Sequence, residues 1–420
     1  MTKKLIIKNI GPIKNIDINI SKVNIFMGEQ SSGKSTIAKI LSFCSWIEKD
    51  ISFHQSFEKY TENNYYFVER LETFHKMKGY FNYDSEIIYV GEAISIIYKN
   101  ELISIEWLET RFNYKKCKIS YIPSERSTVI LPEMEKLELP NNYLKSFLFD
   151  WFDTRKNYTV QNKFPILDIG IAFYYSEDNK ESHISNEKYD ILLSQASSGL
   201  QSITPLLTMV HSLVDNINKQ DKNSSYELDE VKAKVTQLII SEFVIKKYFG
   251  QDFTGDMRKN KIQELNKKIS ENDENVMALF QDYKNIRNNL FRTHRTNLII
   301  EEPEQNLFPS TQKQLIYKLL EYLVSDLDHS LTITTHSPYV LYAINNCILS
   351  YIVKEKISGK IKDKINCSNS SINPIEIKIY EIKDGTLNCI QQQNGLIGEN
   401  FFDNQMKQVM DDFYLMINYL

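Results

Sequence analysis

One stretch of nine residues constrains this 420-residue chain more than any other: Gly28-Glu-Gln30-Ser31-Ser32-Gly33-Lys34-Ser35-Thr36. It has the spacing GxxxxGK[ST]. A largely apolar run with Val23, Ile25 and Met27 precedes it, and Ile37, Ile40, Leu41, Cys44 and Ile47 follow at helical spacing. Glycine lets backbone N–H groups curl around an anion where a Cβ would block the approach. A helix opening near Lys34 adds the partial positive charge of its N-terminus. The segment therefore reads as a phosphate-binding loop, in which Lys34 reaches the outer phosphates and the Ser35 hydroxyl ligates Mg²⁺. Only 13 glycines occur in the chain, so a chance glycine-rich turn in this context is the weaker reading.

Composition narrows the class without naming it. At 42% hydrophobic and 25% charged residues, the chain is an ordinary globular one, long enough to bury a sizeable core. No apolar run approaches the roughly 18–20 residues that span a bilayer. The start, Met-Thr-Lys-Lys-Leu-Ile-Ile, alternates like a strand rather than a secretory signal. Cys44, Cys117, Cys347, Cys367 and Cys389 form no CxxC pair, which favours reduced thiols and a cytoplasmic setting. A net charge of −4 excludes a globally basic nucleic-acid coat but leaves a local strip open.

Periodicity supplies the expected elements. Leu5, Ile7 and Ile10, then Ile13, Ile16, Ile18 and Ile20, predict two strands about a Gly11-Pro12 turn. Strand patterns recur over 86–122 and 166–175, at Leu298-Ile-Ile and at Leu331-Thr-Ile-Thr. Helices are expected over 141–158, after Gly199, over 310–325 and after Pro338. Residues 212–293 are charged, with apolar positions at helical spacing, and read as a helical insertion between an N-terminal part, 1–211, and a C-terminal part, 294–420. Asp384-Gly385 between alternating runs predicts a hairpin, and an amphipathic helix follows. The expected fold class is α/β: a P-loop core with a mixed central sheet, an antiparallel β subdomain from the N-terminal strands and 86–120, and an enlarged helical lobe.

Leu298-Ile-Ile-Glu301-Glu302-Pro303 ends a buried strand with two carboxylates, at the edge where open α/β sheets bind ligands. Alone, the pair would read equally as solvated charge. Beside a phosphate loop, Glu301 is expected in the Mg²⁺ shell, and Glu302 is expected to orient and polarise water.

Three further segments carry a resemblance. Ser197-Ser198-Gly199-Leu200-Gln201 resembles the signature of ABC-type ATPases. Glu304-Gln-Asn306-Leu-Phe-Pro309 resembles the stretch that crosses their dimer interface, and Thr334-Thr335-His336-Ser337-Pro338 resembles their switch histidine. All stand in the family's order. Each has a plainer rival, since Ser-Ser-Gly caps many helices and a lone histidine after a strand is usually structural. The resemblance implies ATP sandwiched between two subunits, with Ser198, Gly199 and Gln201 gripping the γ phosphate bound to the other subunit and His336 reading it. Glu301-Glu-Pro-Glu-Gln-Asn-Leu-Phe-Pro is similar to the acidic motif of the branch that includes SMC, RecF and OLD proteins. Ser194–Ser202 and Tyr121-Ile-Pro-Ser-Glu-Arg126 look like stand-alone OLD-like ATPases of bacterial defence operons, of the Septu and PARIS types. Glu301 stands where Asp is commoner, Leu200 replaces a second signature glycine, and Phe308 stands where that branch often has histidine. Ser124, Glu125 and Arg126 occupy the place of a glutamine loop. Arg126 reads equally as a sensor or as half of a structural salt bridge.

The resemblance implies an ATP-binding, Mg²⁺-dependent ATPase that forms a homodimer or higher oligomer and controls a separate effector, a nuclease encoded nearby, in anti-phage defence. The alternative is a repair or recombination ATPase of SMC/RecF type that clamps DNA directly. A transporter's coupling subunit and a slow nucleotide-gated scaffold stand further off. Contact with nucleic acid stays open: Lys246-Lys247, Arg258-Lys259, Lys261 and Lys267-Lys268 dot the insertion, but acids interleave with them. No nuclease site is expected in the chain itself, since Asp363, Asp384 and Asp403 make no Toprim pattern.

Overall fold

The computed structural model describes residues 3–131, 134, 137–215, 226–251, 253–324, 328–417 and 419–420. Residues 216–225 and 252 of the expected insertion lie outside the described residues, as does the last residue of the helix expected over 310–325. Val23–Gly28 is buried at every position, as a strand covered on both faces must be. Ser330–Thr335 and Ile377–Lys383 flank it, both parallel. Arg295–Glu301 pairs in parallel with Ser330–Thr335, and Cys117–Ile122 pairs in parallel with Arg295–Glu301. Thr386–Cys389 returns antiparallel to Ile377–Lys383, so the six-stranded sheet is mixed. Asp384 and Gly385 make that turn with φ of 50° and 76°, the left-handed backbone that Asp-Gly hairpins use.

The central sheet divides two cores. Val23, Ile25, Leu298, Ile300, Leu331 and Ile333 face one, shared with helices Ser198–Asp215, Pro309–Leu323 and Pro338–Val353. Phe26, Tyr380 and Ile382 face the other, beneath helix Lys34–His54 and a five-stranded antiparallel sheet. That second sheet runs Ile13–Ile20, Lys3–Ile10, Glu86–Val90, Ile94–Lys99, Leu102–Trp107. It ends at Trp107. Strand Cys117–Ile122, expected to extend it, forms the edge of the central sheet instead. Tyr121 and Ile122 are buried in different clusters, so both faces of this strand are covered, and alternation alone could not show which sheet it joins.

A third sheet of four short antiparallel strands, Phe164–Pro165, Ala172–Ser176, Glu181–Ser185 and Asp190–Leu192, was expected only in part. The helix after Gly199 continues to Asp215, past the boundary drawn at 211/212. The helical lobe comprises Tyr226–Ile239, a π-helical turn at Ile240–Ile245, Lys246–Phe249, Gly255–Ser270 and Glu274–Phe291. Val244, Ile245, Phe253, Leu265, Val276 and Leu279 form a small core within it. Val235, Ile239, Ile286 and Leu290 instead join the core beneath helix Lys34–His54. The fold class expected from the sequence, α/β with a mixed central sheet around a P-loop, is the one observed. No described helix is long and apolar enough to cross a membrane.

Candidate nucleotide site

The phosphate loop hangs between the end of the central strand at Gly28 and the helix that opens at Lys34. Gly28 and Gly33 have φ of 151° and 107°. A Cβ would stand 2.6 Å from the Ile382 carbonyl oxygen at Gly28 and 2.9 Å from Ile13 at Gly33. Both positions require glycine. The helix has no side-chain cap and no acid in its first turn, so its free N–H groups are left for an anion. Lys34 Nζ folds back over the loop and donates to the carbonyls of Gly28 at 2.9 Å and Glu29 at 2.6 Å. Burial pulls its pKa down to about 8, against the opposing pull of the Glu302 and Glu304 carboxylates. A cavity of about 760 Å³ opens beside the loop, lined by Gly28, Gln30, Ser31 and Ser32 together with the Asp384-Gly385 turn. That is ample for a nucleotide. Ser35 is half-buried and Thr36 buried in the first helical turn.

Glu301 is buried at the end of its strand, and its Oε1 has no hydrogen-bond partner. An orphaned carboxylate oxygen is costly unless something pairs with it. Mg²⁺ sites take one or two carboxylates and leave the remaining positions to phosphate and water, so Glu301 with Ser35 fits that ion. Among the described residues no cluster of three or more His, Cys, Asp or Glu could hold a metal, so any such site would need the nucleotide to complete it.

Glu302 leaves the strand with φ of 43°, a left-handed conformation that costs a non-glycine residue roughly 1–3 kcal/mol. Its N–H donates to the Thr334 carbonyl at 2.9 Å. Its Oε1 lies 2.9 Å from His336 Nε2, and that hydrogen bond holds the Glu302 carboxyl below its ordinary range despite partial burial. Glu304 braces the same corner, accepting from the His336 N–H and the Thr335 hydroxyl at 2.7 Å each. Burial pushes the Glu304 carboxyl up. Glu302, Glu304 and His336 thus form one connected network, and Glu302 and Glu304 bear electrostatically on Lys34.

Arg126 is the residue that sequence reasoning missed in kind. Its guanidinium is buried and donates to five backbone carbonyls: Pro123, Ser202, Glu301, Glu302 and Pro303, at 2.7–3.3 Å. It makes no ion pair among the described residues. Burial lowers its pKa to about 10. It ties the acidic strand end to the helix that opens at Ser198, and the only signal for this was an arginine just after an apolar strand.

Ser198 opens that helix, and Gln201 Nε2 donates to the Ser194 and Ala196 carbonyls at 2.8 and 3.0 Å, bracing its own turn. A Cβ on Gly199 would stand 2.9 Å from the Asn306 carbonyl oxygen. The chain therefore gathers the phosphate loop with Glu302 and His336, and gathers Ser198, Gly199 and Gln201 with Asn306. Neither Glu302 and His336 nor Ser198, Gly199 and Gln201 line the cavity beside the phosphate loop.

No family model matches the chain, and no curated protein matches it. Among solved structures it is similar to an SMC head domain from Thermotoga maritima, at 10% identity and TM-score 0.36, covering 93% of this chain and 99% of that one. It is also similar to the recombination mediator RecF-ATPrS, at 11% identity and TM-score 0.29, covering 93% and 98%. A third is a dimeric ATP-binding cassette in a post-hydrolysis state with ADP and Pi, at 10% identity and TM-score 0.27, covering 92% and 99%. Each score lies below 0.5, so the residues of this chain, not these neighbours, carry the functional reading.

Proposed function

We propose that the chain is an ABC-type ATPase that binds ATP with Mg²⁺ at Gly28–Thr36 and hydrolyses it in a site completed by a second copy of itself. The observation that carries this reading is Lys34, folded over the carbonyls of the phosphate loop and coupled electrostatically to Glu302, whose carboxylate His336 holds. Ser198, Gly199 and Gln201 open the helix that meets Asn306. Their part in a site shared between two chains rests on the resemblance to the ABC-type signature. In the reaction, water adds to the γ phosphorus, the bond to the ADP oxygen breaks, and Glu302 takes the proton that water loses. Lys34 exchanges its carbonyl partners for phosphate oxygens. His336, turning from Glu302 to the γ phosphate, frees the carboxylate to act. Ser35 and Glu301 would hold Mg²⁺, which when bound would neutralise charge on the phosphates.

The defence role and the separate effector rest on the resemblance of Tyr121–Arg126 and Ser194–Ser202 alone. Co-purification with a nuclease encoded beside the gene supports that role, whereas direct clamping of DNA by the purified ATPase supports the repair alternative.

The two-chain site is tested with two variants. Glu302→Gln should retain ATP, hydrolyse it slowly and accumulate as a dimer. Ser198→Arg should bind ATP as a monomer yet neither dimerise nor turn over. Normal hydrolysis by Ser198→Arg at every protein concentration would overturn the shared site.

A further inference from the structure

Glu301 needs orienting more than an aspartate would. Its carboxylate hangs on one more rotatable bond, and that freedom must be removed before the group can meet an ion at a fixed angle. The strands on either side of it carry polar groups placed for that task. Tyr121 pairs in register with Ile299, two residues before Glu301, so Tyr121 and Glu301 stand on one face of the central sheet. Tyr121, Tyr143 and Ile299 are buried there with Ala38 of helix Lys34–His54, whose first turn carries Ser35. On the other side, Thr334 pairs in register with Glu301 itself.

The Tyr121 ring is clamped by its neighbours. His75 packs against it edge-on at 5.2 Å, and Tyr143 does so at 5.3 Å. Tyr143 is itself held, its hydroxyl donating to Glu125 at 2.9 Å. The Tyr121 hydroxyl faces the Glu301 carboxylate. Burial first, and the Glu301 charge next, push the phenol well above its ordinary range, so the hydroxyl keeps a proton to donate. Tyr121, Thr334 and Glu301 are all buried. Among the described residues, neither the Tyr121 nor the Thr334 hydroxyl makes a hydrogen bond to any group other than Glu301. Two such hydroxyls on the strands that flank one buried carboxylate are unusual in a plain core.

We propose that Tyr121 is a positioning residue for Glu301, with Thr334 as its counterpart on the neighbouring strand. The two hydroxyls bracket the carboxylate and donate to one of its oxygens, leaving the other turned toward Ser35, where Mg²⁺ would be held. The inference rests on the reading of Glu301 as a ligand for that ion. Neither hydroxyl touches metal or nucleotide in this role; each acts through Glu301. Outer partners of this kind fix the angle at which a ligating carboxylate presents its free oxygen, and losing one typically weakens metal binding by about 10- to 100-fold.

The test reads metal binding rather than turnover. Mn²⁺ is the paramagnetic probe for the Mg²⁺ position, titrated into protein holding a non-hydrolysable ATP analogue and followed by electron paramagnetic resonance. Tyr121→Phe, which keeps the ring between His75 and Tyr143, should weaken Mn²⁺ binding at least about tenfold. Metal-free affinity for the analogue should change less than about twofold, and the melting temperature should hold. Thr334→Val should act in the same direction, and Thr334→Ser, which keeps a hydroxyl, should bind Mn²⁺ within about twofold of the unsubstituted protein. In a Glu301→Gln background, Tyr121→Phe should add nothing, because the group it positions is gone. Unchanged Mn²⁺ affinity in Tyr121→Phe, or an equal loss in the Glu301→Gln background, overturns the positioning role. Unchanged affinity in Thr334→Val overturns the share of Thr334 alone. If Tyr121→Phe does not fold, Thr334→Val and its serine rescue decide the matter. A failure of the metal reading shows separately, as Mn²⁺ binding that is absent from the unsubstituted protein or untouched by Glu301→Gln.

Discussion

Lys34 is buried against carbonyls at a pKa of about 8, below its ordinary 10.5, so the free protein loses this charge as pH rises through 8. Its buried ammonium opposes folding below that point, and the penalty is relieved as pH climbs from 8 toward 10.5, where the unfolded chain binds more protons than the folded one. Phosphate oxygens favour the ammonium, so ATP binding should take up close to one proton at pH 9 and almost none at pH 6.5. Calorimetry in buffers of differing ionisation enthalpy reads this directly; equal uptake at both pH values would remove Lys34 from the phosphates. Arg126 makes a different demand. Arg126→Lys keeps the charge but cannot reach five carbonyls, so turnover should fall at least tenfold while ATP affinity changes less than about threefold. Arg126→Ala strands the acceptors and should cost about 3 kcal/mol in urea unfolding. Unchanged turnover in Arg126→Lys would make it a purely structural clamp. Lys34, Glu301, Glu302 and His336 could be singled out as candidates from the sequence because the chemistry proposed for them is written in residue type at fixed spacing. The role of Arg126 could not, because its partners are backbone carbonyls as far as 177 positions away, which carry no residue identity.

Elements differ in how much their sequence reveals. Val23–Gly28 and the Asp384-Gly385 hairpin were legible because apolar continuity and turn chemistry are local signals. Glu181–Ser185 and Asp190–Leu192 were not, since Glu-Ser-His-Ile-Ser carries a single apolar residue and a strand of three offers too few positions for a period. Two elements carry predictions. The helix that opens at Ser198 touches the Asn306 carbonyl through Gly199, so Gly199→Ala pushes a methyl against backbone rather than a pliable side chain. Turnover should drop at least tenfold with ATP binding kept, as measured by single-turnover hydrolysis; full turnover would show that this contact can open freely. Helix Phe401–Ile417 is the opposite case, with no buried residue and with Met406 and Val409 each more than 60% exposed. Replacing both with glutamine should move monomer stability by no more than about 0.5 kcal/mol. A larger loss in thermal unfolding of dilute protein would mean that the helix is held by the body of the chain.

On the scale of the whole molecule, the helical lobe is not the detachable insertion that its charge pattern suggests. Its distal part closes on its own small core, around Val244, Phe253, Leu265 and Val276. Its proximal part does not: Val235, Ile239, Ile286 and Leu290 are buried with Ile40, Ile47 and Ile51 of the helix that follows the phosphate loop. Burying each such side chain contributes roughly 1.5–3 kcal/mol, so the four together contribute about 6–12 kcal/mol. A typical domain has about 5–15 kcal/mol of net stability in all. Removing residues 226–290 should therefore unfold the ATP-binding body rather than spare it. Replacing only 246–273 with a short Gly-Ser turn, with Val276 and Leu279 made polar, keeps the four anchoring side chains. That shorter protein should melt cooperatively and bind ATP within about threefold of the intact chain. If an effector docks on the distal lobe, co-purification is lost while ATP binding persists, which separates partner binding from folding. Full ATP affinity after removal of 226–290 would mean that the lobe is an appendage and that the packing beneath helix Lys34–His54 closes without it.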